Sequence, residues 1–455
     1  MKCNVKALSA ILALLGVLVI VLNYSILFNT GIVPGINEIA EGIKLGIMER
    51  QEKKNTVEGM FIDRNGEEIT YAEEKGEPSI LMHDEAFSHL IGFNSNKTGV
   101  SGLRAVYKDY LFKGGKDGVG AQITLTLDAE LQEFCYSLLE GNEGAIIVMD
   151  SDTGEILSYA SRSDKNVGYN VNAIDENYDT YKGMDGFFYN RCSMADGPAG
   201  SAFKIITATS MLENGLEDFT IEDTGVYKSD KCKVSNFNEK AYRTIGMKDG
   251  LFYSSNILFG NAAVELGHKN LRESATKYLV GTNIELDFGT LRSNFDLKAK
   301  YGYQELCDTG YGQGRTVISP MNVVMWIQAV HNNGVMLKPY MIKSITDDGM
   351  IAREEPEPQE LSTVCDENAA LKLQNMLNYT SGRYGFSAKQ GHCIAKTGTA
   401  QVVVNGRKTT NIYMAVATEL SGKKYSIVVC HRDVNYISAE LNRPAMDIID
   451  YLSKN

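Results

Sequence analysis

Ser201-Ala-Phe-Lys204, Ser254-Ser-Asn256 and Lys396-Thr-Gly-Thr399 stand in that order along this 455-residue chain. They constrain the fold more than any other feature, because their side chains can act together only if the long intervening chain returns them to one place. A serine hydroxyl is a weak nucleophile near neutral pH and needs a base within hydrogen-bond reach. Three residues along a helix is nearly one turn, so Ser201 and Lys204 fall on the same face. Lys204 serves as that base only when neutral, a state favoured by burial and by a second cation such as Lys396. The apolar run Phe203, Ile205, Ile206, Ala208, Met211 and Leu212, closed by Gly215, predicts a buried helix. Ser201 then lies at its N-terminus, where the helix dipole favours developing negative charge.

The other two segments supply what the first lacks. Ser254 and Asn256 precede the apolar run Ile257, Leu258, Phe259, Ala262, Ala263 and Leu266, which reads as a loop leading into a helix. A hydroxyl there relays a proton and an amide holds a substrate amide. Lys396 to Thr399 continue through β-branched Val402 to Val404 into Asn405-Gly406, a hairpin signal. A strand at this place presents backbone groups to an extended peptide. Lys396, Thr397 and Thr399 then bind its terminal carboxylate, and Gly398 keeps the groove clear. Two decoys, Ser421-Gly-Lys-Lys424 and Lys97-Thr-Gly99, match single motifs. The first reads as a polar turn between apolar strands, and the second stands before the nucleophile.

The ordered set resembles that of the class B penicillin-binding proteins, membrane-anchored D,D-transpeptidases of bacterial peptidoglycan synthesis. Leu125-Thr-Leu-Asp128 with Leu131-Gln132 is similar to the family's approach to its catalytic domain. Gly144-Ala-Ile-Ile-Val-Met-Asp150 and Thr153-Gly-Glu-Ile-Leu157 are similar to its first two strands. Gly310-Tyr-Gly-Gln-Gly314 and Ser319-Pro-Met321 are similar to the segment before a long helix, with Ser319 a good N-cap and Pro320 a good first helical residue. Asp63-Arg-Asn-Gly66 and Ser101-Gly-Leu103 resemble parts of the non-catalytic pedestal.

The resemblance implies a mixed α/β (α+β) fold, an antiparallel sheet flanked by helices, in which strands from 144–160 and 394–430 pair across the intervening helices. It implies that Ser201 attacks the D-Ala-D-Ala amide of a stem peptide, with Lys204 as base and Ser254 passing the proton to the leaving D-alanine. Asn256 and Lys396 complete the catalytic set, Thr397, Gly398 and Thr399 bind substrate, and the backbone N–H groups of Ser201 and Thr399 form the oxyanion hole. β-Lactam antibiotics acylate the same serine. No metal or other cofactor is implied, and no Cys/His cluster has metal-ligand spacing.

This chain departs from the family pattern at four places. Pro198-Ala199-Gly200 carries one residue more than the usual Pro-Gly before the nucleophile, and Ala395 replaces the glycine before the third motif. In the pedestal, Glu58 stands where the pattern has Arg, and Arg104 where it has Glu. Two reciprocal reversals predict that these side chains meet.

The run from Ala7 to Phe28 is almost uncharged and long enough to span a bilayer. Lys2 and Lys6 on its short side orient that side to the cytoplasm, so the single-pass chain lies outside the cell beyond Phe28. A cleaved signal peptide is the alternative reading. The expected organisation is 1–28 tail and transmembrane helix, 29–118 pedestal, and 119–455 transpeptidase domain. The pedestal is too short for a glycosyltransferase domain, so the resemblance implies a separate membrane glycosyltransferase partner. A net charge of −12 argues against nucleic acid. The scattered cysteines from Cys135 to Cys430 read as free, mostly buried thiols, Trp326 as core, and Glu354-Glu-Pro-Glu-Pro358 as a solvated loop. Two other functions stay open: a D,D-carboxypeptidase or β-lactamase that gives the acyl group to water, although no Glu-x-x-Leu-Asn segment lies between Asn256 and Lys396, and a non-catalytic scaffold.

Overall fold

The computed structural model describes residues 51–115, 117–386, 391–404 and 406–454. The apolar run Ala7 to Phe28 lies outside them. Among the described residues no helix is long and apolar enough to cross a membrane.

Strand β1 (Met60–Ile62) lies parallel to β2 (Gln122–Leu125), with Phe61 opposite Ile123. The boundary drawn after residue 118 therefore falls between two strands of one sheet. Asp63 strengthens the joint: its carboxylate accepts from the N–H groups of Asn65 at 2.7 Å and Glu67 at 2.8 Å, closing its own turn, and from Ala129 at 3.1 Å across the boundary. Asp128 caps helix α1 (Ala129–Ser137) by accepting from the Leu131 N–H at 2.9 Å. Gln132 on α1 donates to the Ala86 carbonyl at 2.7 Å and accepts from the Tyr159 N–H at 2.6 Å, tying both regions together.

The part of the chain that carries the three motifs is built on β3 (Gly144–Asp150) and β4 (Ile156–Arg162), followed after a long excursion by helix α2 (Lys204–Glu213), α3 (Met247–Tyr253) and α4 (Asn256–Lys277). Helix α5 (Pro320–His331) starts as its sequence predicts, with Ser319 and Asn322 forming a capping box and Pro320 in the first turn. Strands β5 (Ile342–Asp347) and β6 (Met350–Arg353) complete the small sheet of β1 and β2, in the order β1-β2-β5-β6. After α6 (Glu367–Arg383) come three long strands, β7 (Ile394–Val404), β8 (Arg407–Leu420) and β9 (Lys423–Val434), and helix α7 (Asn442–Leu452).

The large sheet has the order β7-β8-β9-β3-β4 and every pairing is antiparallel. Its centre joins distant parts of the chain, with Tyr425 opposite Asp150 and His431 opposite Gly144. Ala145 to Met149 are all fully buried, which for a strand with alternating side chains means that both faces are covered. Helix α5 packs on β8, β9 and β3, while α1 and α7 meet through Phe134 and Tyr451, stacked at 4.8 Å. The fold is the expected mixed α/β arrangement.

Trp326 is core: fully buried, it donates from Nε1 to the Tyr278 carbonyl at 3.1 Å and meets Phe203 edge-on. The seven described cysteines are buried, and none of them is in a disulfide. Both decoys are turns away from the motif cluster. Ser421 and Gly422 adopt positive φ in the β8–β9 hairpin, and Lys97 to Gly99 close a small hairpin on Asn94-Ser95.

Candidate active site

Ser201 does not open an α-helix as its sequence suggests. It lies in a 3₁₀ turn, Gly200–Phe203, that leads into α2. In a 3₁₀ turn residues three apart eclipse one another, so the spacing that was compatible with an α-helix works better here. The Lys204 amine reaches the Ser201 hydroxyl at 2.9 Å. Close backbone approach fixes the turn. Gly200 has φ +55° and its N–H donates to the Gly312 carbonyl at 2.9 Å, while Gly312 itself has φ +90°. A Cβ on Gly312 would lie 1.7 Å from the Gly200 carbonyl oxygen. The residue inserted before Ser201, Ala199, is thus absorbed by a turn that the Gly310–Gly314 segment clamps.

The structure brings Ser201, Lys204, Ser254, Asn256 and Lys396 into one hydrogen-bonded cluster. Lys204 Nζ lies 2.7 Å from the Ser254 carbonyl, 3.2 Å from its hydroxyl and 2.8 Å from Asn256 Oδ1. Lys396 Nζ donates to the Ser254 hydroxyl at 3.0 Å and to the Thr397 carbonyl at 3.0 Å. Ser254 is the C-cap of α3 and takes a left-handed conformation, φ 59° and ψ 44°. That conformation is costly for a residue with a side chain and turns its hydroxyl between the two lysines. Asn256 opens α4 and donates from Nδ2 to the Ser235 carbonyl at 2.9 Å, which fixes which end of its amide faces Lys204.

Both lysines are fully buried. Burial first, then the charges of Lys396 and Arg383, hold Lys204 well below the usual lysine range, against an opposing pull from Asp223. An amine in that state has two N–H donors, which suit the Ser254 carbonyl and Asn256 Oδ1, and a lone pair left for the Ser201 proton. Burial also lowers Lys396, with Tyr384 opposing.

Tyr384 and Gln313 also reach the site and lie outside the three motifs, Gln313 within the Gly310–Gly314 segment. The Tyr384 hydroxyl lies 3.0 Å from Thr397 Oγ1 and accepts from the Thr397 N–H at 3.4 Å. Burial alone would push this phenol up, but Lys396, the Thr397 hydrogen bonds and Arg383 outweigh it and lower it. Gln313 donates to the Thr399 carbonyl at 3.4 Å. These contacts show that Thr397 and Thr399, two apart on edge strand β7, direct their backbone groups away from β8. The groups of Thr397 are occupied by Tyr384 and Lys396, so the edge open to an extended peptide begins at Thr399. The Thr399 hydroxyl, half-buried, donates to Ser438 Oγ at 3.2 Å, while that of Thr397 is buried. Gly398 is needed for a different clearance from the one its position in a groove suggests: a Cβ there would meet the Ala199 carbonyl at 2.7 Å, so it lets β7 lie against the turn that carries Ser201.

Residues 144–449 match the family model for the penicillin binding protein transpeptidase domain. The chain belongs to that family. It is 26% identical over 318 residues to the peptidoglycan D,D-transpeptidase MrdA of Escherichia coli K12, covering 65% of this chain and 50% of that protein. Penicillin-binding protein 3 of Bacillus subtilis is 25% identical over 278 residues, 55% of this chain and 41% of that protein. The chain thus spans about half the length of the curated relatives it matches. In structure it is similar to the D,D-transpeptidase domain of a peptidoglycan glycosyltransferase from Eggerthella lenta, with a TM-score of 0.78 and 22% identity over 88% of this chain and 99% of that one. It is also similar to penicillin-binding protein A of Mycobacterium tuberculosis in its penicillin G acyl-enzyme complex, TM-score 0.78, 16% identity, 88% of this chain and all of that one. These likenesses establish the mixed α/β transpeptidase fold.

Proposed function

We propose that the chain is a class B-type serine D,D-transpeptidase that cross-links peptidoglycan stem peptides through an acyl-enzyme on Ser201 and is acylated there by β-lactams. The observation that carries this reading is the position of Lys204 Nζ, 2.9 Å from the Ser201 hydroxyl and 3.2 Å from that of Ser254, which Lys396 contacts in turn. Neutral Lys204 takes the Ser201 proton as Oγ attacks the carbonyl of the D-Ala-D-Ala amide. The N–H groups of Ser201 and Thr399 receive the oxyanion, a contribution of roughly 3–4 kcal/mol per donor in comparable sites. The proton returns through Ser254 to the departing D-alanine amine, and the C–N bond breaks. An amine of a second stem peptide then attacks the ester and restores the Ser201 hydroxyl. With a β-lactam the leaving amine stays tethered, so the ester persists.

The run Ala7 to Phe28 anchors the chain in the bacterial cell membrane in this reading, with residues 29–118 as pedestal, 119–455 as the extracytoplasmic catalytic domain, and a separate membrane glycosyltransferase supplying the strands to be linked. The test is intact-mass spectrometry after incubation with penicillin. One long-lived adduct, absent in Ser201→Ala, supports the proposal, and release within seconds points to a hydrolase. No adduct on folded protein points to a scaffold. Protease added to spheroplasts digests the catalytic domain if the anchoring is right, and its protection overturns that part.

A further inference from the structure

Behind the second motif lies a buried polar network that the reaction scheme does not use. Asp223 ends a short strand, Ile221–Asp223, and is fully buried. Among the described residues it forms no ion pair. Its carboxylate instead accepts from the Gly225 N–H at 3.0 Å, from Asn236 Nδ2 at 2.7 and 2.8 Å, and from the Ser255 hydroxyl at 2.5 Å. Asn236, itself buried, uses its other amide end to accept from the Asn256 N–H at 2.8 Å and the Ile257 N–H at 3.3 Å. Ser255 accepts from the Leu258 N–H at 3.0 Å as the N-cap of α4. Three orphan N–H groups at the start of α4 are therefore satisfied by a scaffold centred on one carboxylate. The residues on either side of Ser255 are Ser254, held left-handed, and Asn256, which contacts Lys204.

A buried carboxylate without a cation is costly, and the hydrogen bonds from three donor groups, Gly225 N–H, Asn236 Nδ2 and the Ser255 hydroxyl, are what make it tolerable. A helix cap alone does not need it, because a serine with no carboxylate behind it caps equally well. We propose that Asp223, acting through Asn236 and Ser255, is the positioning residue that holds Ser254 and Asn256 in register with Lys204 for acylation. This rests on the transpeptidase reading and extends it to residues outside all three motifs. The network fixes the middle residue of the second motif at its side chain and the third at its backbone, which leaves Ser254 little choice but the strained conformation.

The test compares Asp223→Asn, Ser255→Ala and Ser255→Thr with the parent in acylation by a fluorescent penicillin, separating non-covalent binding from the acylation rate constant. The expected result is a fall in the rate constant of about tenfold to a hundredfold for the first two, the scale of a small misplacement of reacting groups. Binding should change little, and Ser255→Thr, which keeps the hydroxyl, should recover most of the rate. The charges that bear on Lys204 are Lys396, Arg383 and Asp223. Removing the one negative charge lets Lys204 lose its proton more readily, so the acid limb of acylation in Asp223→Asn should move to lower pH, which mere loosening of the fold would not do. Should Ser255→Ala fail to fold, the isosteric Asp223→Asn decides alone. Unchanged acylation in folded Asp223→Asn, or a loss with an unmoved acid limb, overturns the inference. A parent protein that is not acylated at all overturns the transpeptidase reading instead.

Discussion

The Glu58 carboxylate and the Arg104 guanidinium meet at 3.2 Å with both side chains 2% exposed. Neither Glu58 Oε1 nor Arg104 Nε has a hydrogen-bond partner among the described residues, so the contact is a charge pair and the hydrogen bonds go elsewhere. Glu58 Oε2 accepts from the Ser79 N–H at 2.9 Å and Asn94 Nδ2 at 2.6 Å, while Arg104 donates to the Gly92 carbonyl at 3.1 Å and to the Ser79 carbonyl and hydroxyl at 3.0 and 2.9 Å. The two reversed charges are thus a single buried pair, with Ser79 touching both members.

Breaking that pair on one side should cost about 3–5 kcal/mol, because the remaining charge stays buried without its partner. Glu58→Gln and Arg104→Met should each lower the unfolding free energy measured in denaturant by that amount, and the double variant should lose less than the sum. Additive losses in the double-mutant cycle would mean that the charges act independently.

Acylation should follow the protonation of Lys204. Because burial, Lys396 and Arg383 lower its pKa, the neutral base is populated far below the ordinary lysine range, and the acylation rate should rise with pH and level off well before pH 10.5. Lys204→Arg keeps the charge and cannot lose the proton, so its rate should fall by orders of magnitude at every pH. Lys396→Met removes a nearby cation, which raises the pKa of Lys204 and should carry the acid limb to higher pH, beside a loss of maximal rate. Stopped-flow acylation across pH measures both.

Gly312→Ala should disable the nucleophile turn while leaving the motifs intact. The positive φ costs about 1–2 kcal/mol for a residue with a Cβ, and the collision with the Gly200 carbonyl requires backbone movement at the residue before Ser201. Penicillin labelling should drop at least tenfold, with circular dichroism near that of the parent. Full labelling would show that the turn has room to shift.

The cysteines should stay silent to a thiol reagent in the native protein. All seven described ones are buried, and burial pushes the thiols of Cys135 and Cys365 up to about 12. Titration should find them only after unfolding, without added reductant. A shortfall in the unfolded count would reveal a disulfide.

How much of this was legible in the sequence follows from what fixes each feature. That Ser201, Lys204, Ser254, Asn256 and Lys396 would come together was legible because each stands in a short recognisable motif, and the structure does gather them. That strands from 144–160 and 394–430 pair was legible only through the family resemblance, and the register that sets β3 against β9 is visible only in the structure. The 3₁₀ turn at Ser201 was not legible, since a spacing of three fits either helix type and the choice is made by Gly312 on another segment. Tyr384, Gln313 and Asp223 were equally hidden: they reach the site from α6, the loop before α5 and a short strand, and only tertiary packing sets those distances. The predicted membrane span lies outside the described residues.

The sheet's central seam, Gly144 to Asp150 against Tyr425 to His431, sets a timetable for the chain as it is made. A polypeptide synthesised from its N-terminus completes the β3–β4 hairpin long before its neighbour β9 exists. Until then the hairpin carries an unpaired apolar edge, the kind of surface that other chains can add to. Ser201, Lys204 and Ser254 are all in hand by Asn256, yet the strand that bears Lys396 has no sheet to join until β8 and β9 are made. Closing so long a loop is intrinsically slow. Damage to β9, which touches no reacting group, should therefore be felt first as aggregation of newly made protein rather than as a weakened enzyme.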